Sequence, residues 1–123
     1  MGEETEDAVK LSTLRSRDQF KLVYERGQKF QTPFFSVFIL PTSETAPRYG
    51  ITVTRKMGGA VLRNRCKRRL REVIRREIAP FIESETGCHI VINVRRATVN
   101  ADFSQLSKAL ADAFGQWLNH RNH

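Results

Sequence analysis

Residues 49–80 read YGITVTRKMGGAVLRNRCKRRLREVIRREIAP and contain a strand pattern, a glycine break and a long helix pattern. Within 49–54 every second residue is apolar or aromatic, which is typical of a strand with one buried face. The paired glycines 58–59 interrupt the pattern, and Pro80 ends the next one because proline has no backbone N–H. The stretch therefore predicts a strand followed by a helix that ends near Ala79.

The predicted helix has one apolar stripe and is basic around most of the rest. At 100° per residue its apolar residues share an arc of about 120°. They are Leu62, Cys66, Leu70, Val73 and Ile74. Arg63 falls at the edge of this arc, so we expect it at the start of the helix with its side chain reaching outward.

The sequence before residue 49 predicts one helix and two strands. Ser16-x-x-Gln19 is a capping box, and Gly27 is a natural helix end. A short strand is predicted over 28–32 and a longer aromatic one over 34–40. A short stretch of turn-forming residues separates 34–40 from 49–54, which predicts that these two strands form an antiparallel pair.

The sequence after Pro80 predicts one strand and one helix. Cys88–Val94 (CHIVINV) is typical of a mostly buried strand, and Asp102-x-x-Gln105 is a second capping box that opens an amphipathic helix. The predicted order is α-β-β-β-α-β-α, a single-domain α+β sandwich. We expect an acidic disordered tail over 1–10, the folded domain over 11–119 and a C-terminal tail over 120–123.

The charge is concentrated in one part of the chain. The 123 residues carry a formal net charge of +8, while residues 46–76 contain eleven Lys/Arg and a single acid, Glu72, for a net +10. Positive charge concentrated in this way indicates a polyanionic partner, and the predicted helix carries most of that charge. The alternative is a solvated helix face, although such faces usually mix both signs.

The remaining composition limits the function classes. Cys66 and Cys88 have no zinc-ligand spacing and are interpreted as core residues in a reducing compartment. No apolar run reaches the length of a membrane span, so we expect a cytoplasmic protein. No nucleophile motif, phosphate loop, metal-spaced histidine pair or acid cluster is visible, so no catalytic or metal-binding residue is predicted in the protein.

The residues 56–71, KMGGAVLRNRCKRRLR, resemble the signature of the bacterial ribonuclease P protein family, K-x-G-x-A-V-x-R-N-R-x-K-R-x-x-R. The resemblance covers about residues 11–117. It implies a fold like ribosomal protein S5 domain 2, with the basic helix in a left-handed β-α-β crossover against the right-handed default. It departs from the family at Cys66, where a larger aliphatic is usual, at Gly59, where a polar or basic residue is common, and at Arg55, where lysine is usual.

The resemblance also implies a function. Family members are the protein subunit of an endoribonuclease whose catalytic RNA, with RNA-bound Mg²⁺, removes the 5′ leader of precursor tRNA; the protein alone holds no cofactor. The residues expected to bind the catalytic RNA are Arg63, Asn64, Arg65, Lys67, Arg68, Arg69 and Arg71. The residues expected to line a cleft for the single-stranded leader are Phe20, Tyr24, Phe38, Thr52, Thr54, Arg55 and Lys56.

Several alternatives stay open on the residues alone. The aromatic side chains of the first helix and strand are either a stacking surface for bases or simply core. The basic helix also fits a ribosomal-protein-like RNA-binding module. A DNA-binding helix fits less well, because basic residues all around the exposed arc suit phosphates better than base edges. No membrane or DNA partner is expected.

Overall fold

The computed structural model describes residues 11–81 and 87–121. Its strands are β1 (Ser12–Thr13), β2 (Gln28–Gln31), β3 (Phe35–Pro41), β4 (Arg48–Thr52) and β5 (Cys88–Val94). Its α-helices are α1 (Arg17–Arg26), α2 (Ala60–Ile78) and α3 (Phe103–Arg121), and short 3-10 helices lie at Arg55–Met57, Ala79–Phe81 and Arg96–Asn100. The expected acidic tail over 1–10 lies outside the described residues.

The predicted α+β class and element order are confirmed, with the two-residue strand β1 added at the start. The five strands form one mixed sheet in the order β1-β4-β5-β3-β2. β5 is antiparallel to β3 and parallel to β4. The predicted direct pairing of strands 34–40 and 49–54 is wrong, because the strongly apolar β5 is inserted between them, where both its faces are covered.

Helix α2 connects β4 to β5, which are neighbouring parallel strands. It is therefore the helix of a β-α-β crossover, as the resemblance implied, and the hand of that crossover stays a prediction. Its bounds agree with the predicted helix: Gly59 is the N-cap and Ala79 the C-cap. Because parallel strands end at the same edge of a sheet, the carboxyl ends of β4 and β5 meet.

The two faces of the sheet are covered by helices to different extents. Helices α2 and α3 pack on one face in a core that includes Phe35, Leu70 and Trp117, each almost completely buried. Helix α1 packs on the other face over a smaller cluster centred on Val23 and Val91. This alternation of side chains is what the period of two along each strand requires. The face of the sheet that α1 covers is thus left partly open to solvent.

Helix α1 begins at the predicted capping box, which is fully formed between Ser16 and Gln19. The second box is only half formed. The Gln105 side chain accepts from the backbone N–H of Asp102 at 2.9 Å, but the Asp102 carboxylate makes no hydrogen bond with the described residues.

Two predicted boundaries need correction. β4 ends at Thr52, and Thr54 instead occupies the N-cap position of the 3-10 helix Arg55–Met57, without a capping hydrogen bond from its side chain. Helix α3 ends at Arg121, so it includes the first two residues of the stretch 120–123 over which a C-terminal tail was expected. The His120 ring stacks on Phe30 with centroids 6.3 Å apart, and its Nδ1 lies 3.3 Å from Nε2 of Gln28. These contacts extend the helix against β2.

Candidate nucleic-acid interface

The apolar stripe of α2 is confirmed. Cys66, Leu70, Val73 and Ile74 are buried, and Leu62 is half-buried at the start of the helix. Because this stripe faces the sheet, the opposite side of the helix points to solvent. The cations of that side, together with Asn64, therefore form a continuous polar surface, which we call the basic face.

The basic face contains most of the predicted RNA-binding residues of α2. Asn64, Arg65, Arg68 and Arg71 are exposed, and Lys67 is half-buried at its edge. Among the described residues, none of these five side chains has a hydrogen-bonding or ion-pair partner. The face is therefore held together by the packing of the stripe behind it, and its own charges repel one another.

Arg63 does not reach outward as expected. Its side chain is half-buried, and its Nε is enclosed with no hydrogen-bonding partner among the residues that the structure describes. The half-burial of Arg63 agrees with the helical projection, which placed it beside the apolar stripe. A buried N–H without a hydrogen-bond acceptor destabilises the folded state.

Arg69 also departs from the basic face. Its guanidinium donates to backbone carbonyls that follow β5: Nη1 lies 2.9 Å from Thr98 O and 3.3 Å from Val99 O, and Nη2 bonds Ala101 O. The structure therefore gives this predicted RNA ligand an intramolecular role.

Three residues of the predicted leader cleft lie in contact at the edge of α1. The Tyr24 and Phe38 rings meet edge to face with centroids 4.9 Å apart, and the Tyr24 hydroxyl lies 3.0 Å from Thr52 Oγ1. Lys29, which the sequence did not single out, places its Nζ 5.6 Å from the centre of the Phe38 ring. An aromatic ring, a hydroxyl and a cation thus share one open surface, the combination that single-stranded nucleic acid needs.

Phe20 contributes to packing as well as to this surface. It is half-buried in the cluster under α1, and its ring lies against Gly50, where an added Cβ would overlap it. Gly50 is thus needed for a close approach of α1 to β4. Of the two interpretations of the aromatic residues, core packing describes Phe20 better, whereas Tyr24 is 37% exposed.

A row of polar side chains next to the cleft joins the predicted Thr52 to three residues that sequence reasoning missed. Thr52 pairs in register with Asn93, Asn93 with Ser36, and Ser36 with Gln31, so all four side chains lie on the α1 face. Thr52 Oγ1 lies 3.3 Å from Asn93 Oδ1, and Ser36 Oγ lies 3.4 Å from Gln31 Oε1. The signal was Asn93 itself, a polar residue within an apolar strand. We call Thr52, Asn93, Ser36 and Gln31 the polar row.

Four exposed cations lie beyond the polar row, where β4 and β5 end. Arg55 and Lys56 were predicted, while Arg95 and Arg96 had been noted only as following the last strand. Arg96 Nη2 lies 3.5 Å from the carbonyl oxygen of Lys56, which places the two pairs side by side. Thr54 is exposed on the same connection rather than in the strand. The cleft therefore opens toward positive charge.

Two titratable groups, the buried Cys66 thiol and the half-buried Tyr49 hydroxyl, lie close to the basic face. Burial raises the pKa of the Cys66 thiol, and the nearby charges of Arg69 and Arg65 lower it by less. Burial likewise raises the pKa of the Tyr49 hydroxyl against the opposing effect of Arg71. Both side chains therefore stay neutral near pH 7 and are unsuited to nucleophilic chemistry. Cys66 and Cys88 are core residues, as predicted.

Within residues 11–81 and 87–121, no group of three or more His, Cys, Asp or Glu is arranged to hold a metal ion. In the same part of the chain, no helix has the length and apolar character needed to span a membrane.

The chain is similar to known proteins over most of its length. The Ribonuclease P family model matches residues 9–117. The ribonuclease P protein component of Citrifermentans bemidjiense is 38% identical over 107 residues, which cover 87% of this chain and 89% of that protein. The corresponding protein of Finegoldia magna is 37% identical over 97 residues, 79% of this chain and 82% of that protein.

Solved structures give the same result. The ribonuclease P protein from Thermotoga maritima superposes with a TM-score of 0.70 at 30% identity, over 83% of this chain and 94% of that one. The Staphylococcus aureus protein superposes with a TM-score of 0.69 over 86% of this chain and 94% of that one. At 23% identity, the second match supports the fold alone.

The fold and surface define a small α+β domain with a basic crossover helix beside a polar and aromatic cleft. The chain belongs to the bacterial ribonuclease P protein family. Membership implies an RNA partner in a ribonucleoprotein and a part in tRNA processing.

Proposed function

We propose that this chain binds the catalytic RNA of ribonuclease P through the basic face of α2 and the 5′ leader of precursor tRNA through the cleft beside α1. The holoenzyme cleaves the leader, and RNA-bound Mg²⁺ performs the hydrolysis. The protein's own part is to hold two RNA segments in a fixed relation. The expected cellular location is the cytoplasm.

The observation that carries the proposal is the one-sided charge of α2. Within residues 11–81 and 87–121 the basic-face arginines Arg65, Arg68 and Arg71 have no acidic partner, so their mutual repulsion is relieved when a polyanion screens it. Arginine suits this task, since its planar fork donates two parallel hydrogen bonds to a phosphate. Asn64, exposed among them, adds a neutral donor and acceptor for a 2′-hydroxyl or base edge.

The test of the whole function is reconstitution. We expect the full-length protein to restore cleavage of precursor tRNA by bacterial ribonuclease P RNA at low Mg²⁺, where the RNA alone is slow, because the cations replace part of the charge screening. Cleavage rates are measured with and without protein. A protein that binds ribosomal RNA or duplex DNA more tightly and gives no stimulation would contradict the proposal.

The leader part of the proposal rests on Tyr24, Phe38 and the polar row. A ring that is over one-third exposed can stack on a base, and the hydroxyls and amides beside it can bond base edges. The cations at the open end, Arg55 and Lys56, would meet the backbone phosphates. A single strand fits such a surface because its bases are not paired elsewhere.

We expect Tyr24→Ala to weaken holoenzyme binding of precursor tRNA with a long leader by about 1–3 kcal/mol, and to spare substrates with a one-nucleotide leader. Tyr24→Phe is the matched control, since it keeps the ring and removes only the bond to Thr52. Dissociation constants for both substrates decide the matter. Equal losses on the two substrates would mean that Tyr24 acts through packing, as Phe20 does in part.

A further inference from the structure

We infer that Arg69 is a positioning residue, which fixes the exposed Arg95–Arg96 pair relative to the basic helix, and that it is not a ligand of RNA. The inference rests on the proposed function, because it assigns Arg69 to the connection between the two RNA-binding surfaces.

The first support is the geometry of the guanidinium. It is half-buried and donates from two nitrogens to three backbone carbonyl groups within four residues, those of Thr98, Val99 and Ala101. These carbonyls lie where the 3-10 helix Arg96–Asn100 ends and the chain turns into α3. Hydrogen bonds from a charged donor are stronger than neutral ones, so this contact ties the segment firmly to α2.

The second support is that the same segment is tied on its other side. Thr98 is completely buried, and its hydroxyl donates to Phe34 O at 2.7 Å; the backbone N–H of Arg95 donates to the same oxygen at 3.0 Å. The segment is therefore held between the turn before β3 and the helix α2. Arg69 is the contact from the α2 side.

The third support is what the segment carries. Arg95 and Arg96 are exposed, and Arg96 reaches the carbonyl oxygen of Lys56 beside the open end of the cleft. Because Arg69 is on the helix proposed to dock the catalytic RNA, it sets the distance between that RNA and these two cations. Losing it would loosen the pair without removing any charge from the basic face.

The experiment compares Arg69→Met with Arg68→Met, which removes the same charge from the neighbouring exposed position. Two quantities are measured with the full-length protein: the salt dependence of binding to the catalytic RNA, and the ratio of holoenzyme affinities for precursor tRNA with long and one-nucleotide leaders. For Arg69→Met we expect an unchanged salt slope and a leader ratio lowered about three- to tenfold. For Arg68→Met we expect a slope lower by roughly 0.7–0.9 and an unchanged ratio.

Arg69→Lys separates charge from geometry, and it also serves if Arg69→Met fails to fold. Lysine keeps the charge, but one ammonium nitrogen cannot replace a fork that bonds carbonyls from two nitrogens. We expect its leader ratio to be low, as for Arg69→Met. Two outcomes would show that Arg69 is an RNA ligand and overturn the inference. One is that Arg69→Lys restores the ratio of affinities for long and one-nucleotide leaders. The other is that Arg69→Met lowers the salt dependence of binding to the catalytic RNA.

A double-mutant cycle tests whether Arg69 acts through the arginine pair. In a background carrying Arg95→Gln and Arg96→Gln, Arg69→Met should lower the leader ratio no further. Additive losses, or weaker binding of both substrates with an unchanged ratio, would leave Arg69 a purely structural role and overturn the inference. Failure of the proposed function would look different. The wild-type protein would then not bind the catalytic RNA, and Arg68→Met would not lower the salt dependence of binding.

Discussion

At the residue scale, side chains of the same type have different tasks in α2. Arg65 and Arg68 are exposed cations without partners among the described residues, Arg69 bonds three backbone carbonyls, and Arg63 has its Nε enclosed. Arg76 lies over the Phe103 ring, 5.5 Å from its centre. Net charge alone therefore overstates the number of cations that can meet RNA.

Glu44 shows how a single acid stabilises the edge away from the proposed RNA-binding surfaces. Its carboxylate lies 3.0 Å from His89 Nε2 and 3.1 Å from Arg48 Nε. The hydrogen bond from His89 is the main cause that lowers the pKa of Glu44 below its usual value of 4.5, and Arg48 adds to it, against a smaller opposing effect of burial. The ionised form is therefore the one that the folded state favours.

We predict that Glu44→Gln lowers the free energy of unfolding at pH 7, by less than about 1 kcal/mol because the side chain is well exposed. A lowered folded-state pKa gives stability that is present above the unfolded pKa, near 4.5, and is lost as the pH falls below it. The difference between wild type and variant should therefore shrink between pH 5 and 3. Urea unfolding at several pH values measures it, and a difference that stays constant would contradict the charge-based account.

At the element scale, the entry into α2 depends on one glycine. Gly58 has φ of 143° and ψ of −166°, a conformation that is accessible almost only to glycine, and it separates the 3-10 helix Arg55–Met57 from the N-cap of α2. The positions of Arg55 and Lys56 relative to the basic face are set at this residue. The buried stripe of α2 then fixes the rotation of the helix about its own axis.

We predict that Gly58→Ala destabilises the protein by about 1–3 kcal/mol, because alanine is strained at this φ and its Cβ would meet the Leu62 side chain. Gly115→Ala is the matched control. Gly115 lies within α3 with open space around it, so alanine there should stabilise by roughly 0.5–1 kcal/mol. Thermal unfolding of the two variants should shift in opposite directions, and a neutral Gly58→Ala would contradict the assigned backbone strain.

At the scale of the whole molecule, one sheet supports both proposed RNA-binding surfaces. Helices α2 and α3 share a continuous core on one face, and α1 covers part of the other. β5 is common to both, with Ile90 and Ile92 in the large core and Val91 in the small cluster. Neither surface is therefore independent of the packing beneath the other.

We predict a single cooperative unfolding transition. Trp117 is the only tryptophan of the chain and is 1% exposed, so its fluorescence reports on the α2–α3 core. The far-ultraviolet circular dichroism reports on all the helices, including α1. The two transitions should coincide in urea. Earlier loss of circular dichroism than of the tryptophan signal would instead show that α1 unfolds separately.

The sequence by itself determined the elements and the chemistry of α2. Periodicity, capping residues and the glycine break are local signals, so the bounds of α1, α2 and β5 were predicted closely, as were the apolar stripe and the charge behind it. The motif in residues 56–71 also identified the family. The stretch 49–80 therefore decided the nature of the basic helix before any tertiary contact was known.

Only the tertiary structure decided which strands pair and which polar residues meet. β5 lies between β3 and β4 because burial of both its faces outweighs the short connection that favoured their direct pairing, and that choice depends on contacts distant in sequence. The same long-range packing aligned Thr52, Asn93, Ser36 and Gln31 across the sheet and turned Arg69 toward the segment after β5. Such placements are set by the summed burial of many side chains, and no local pattern encodes them.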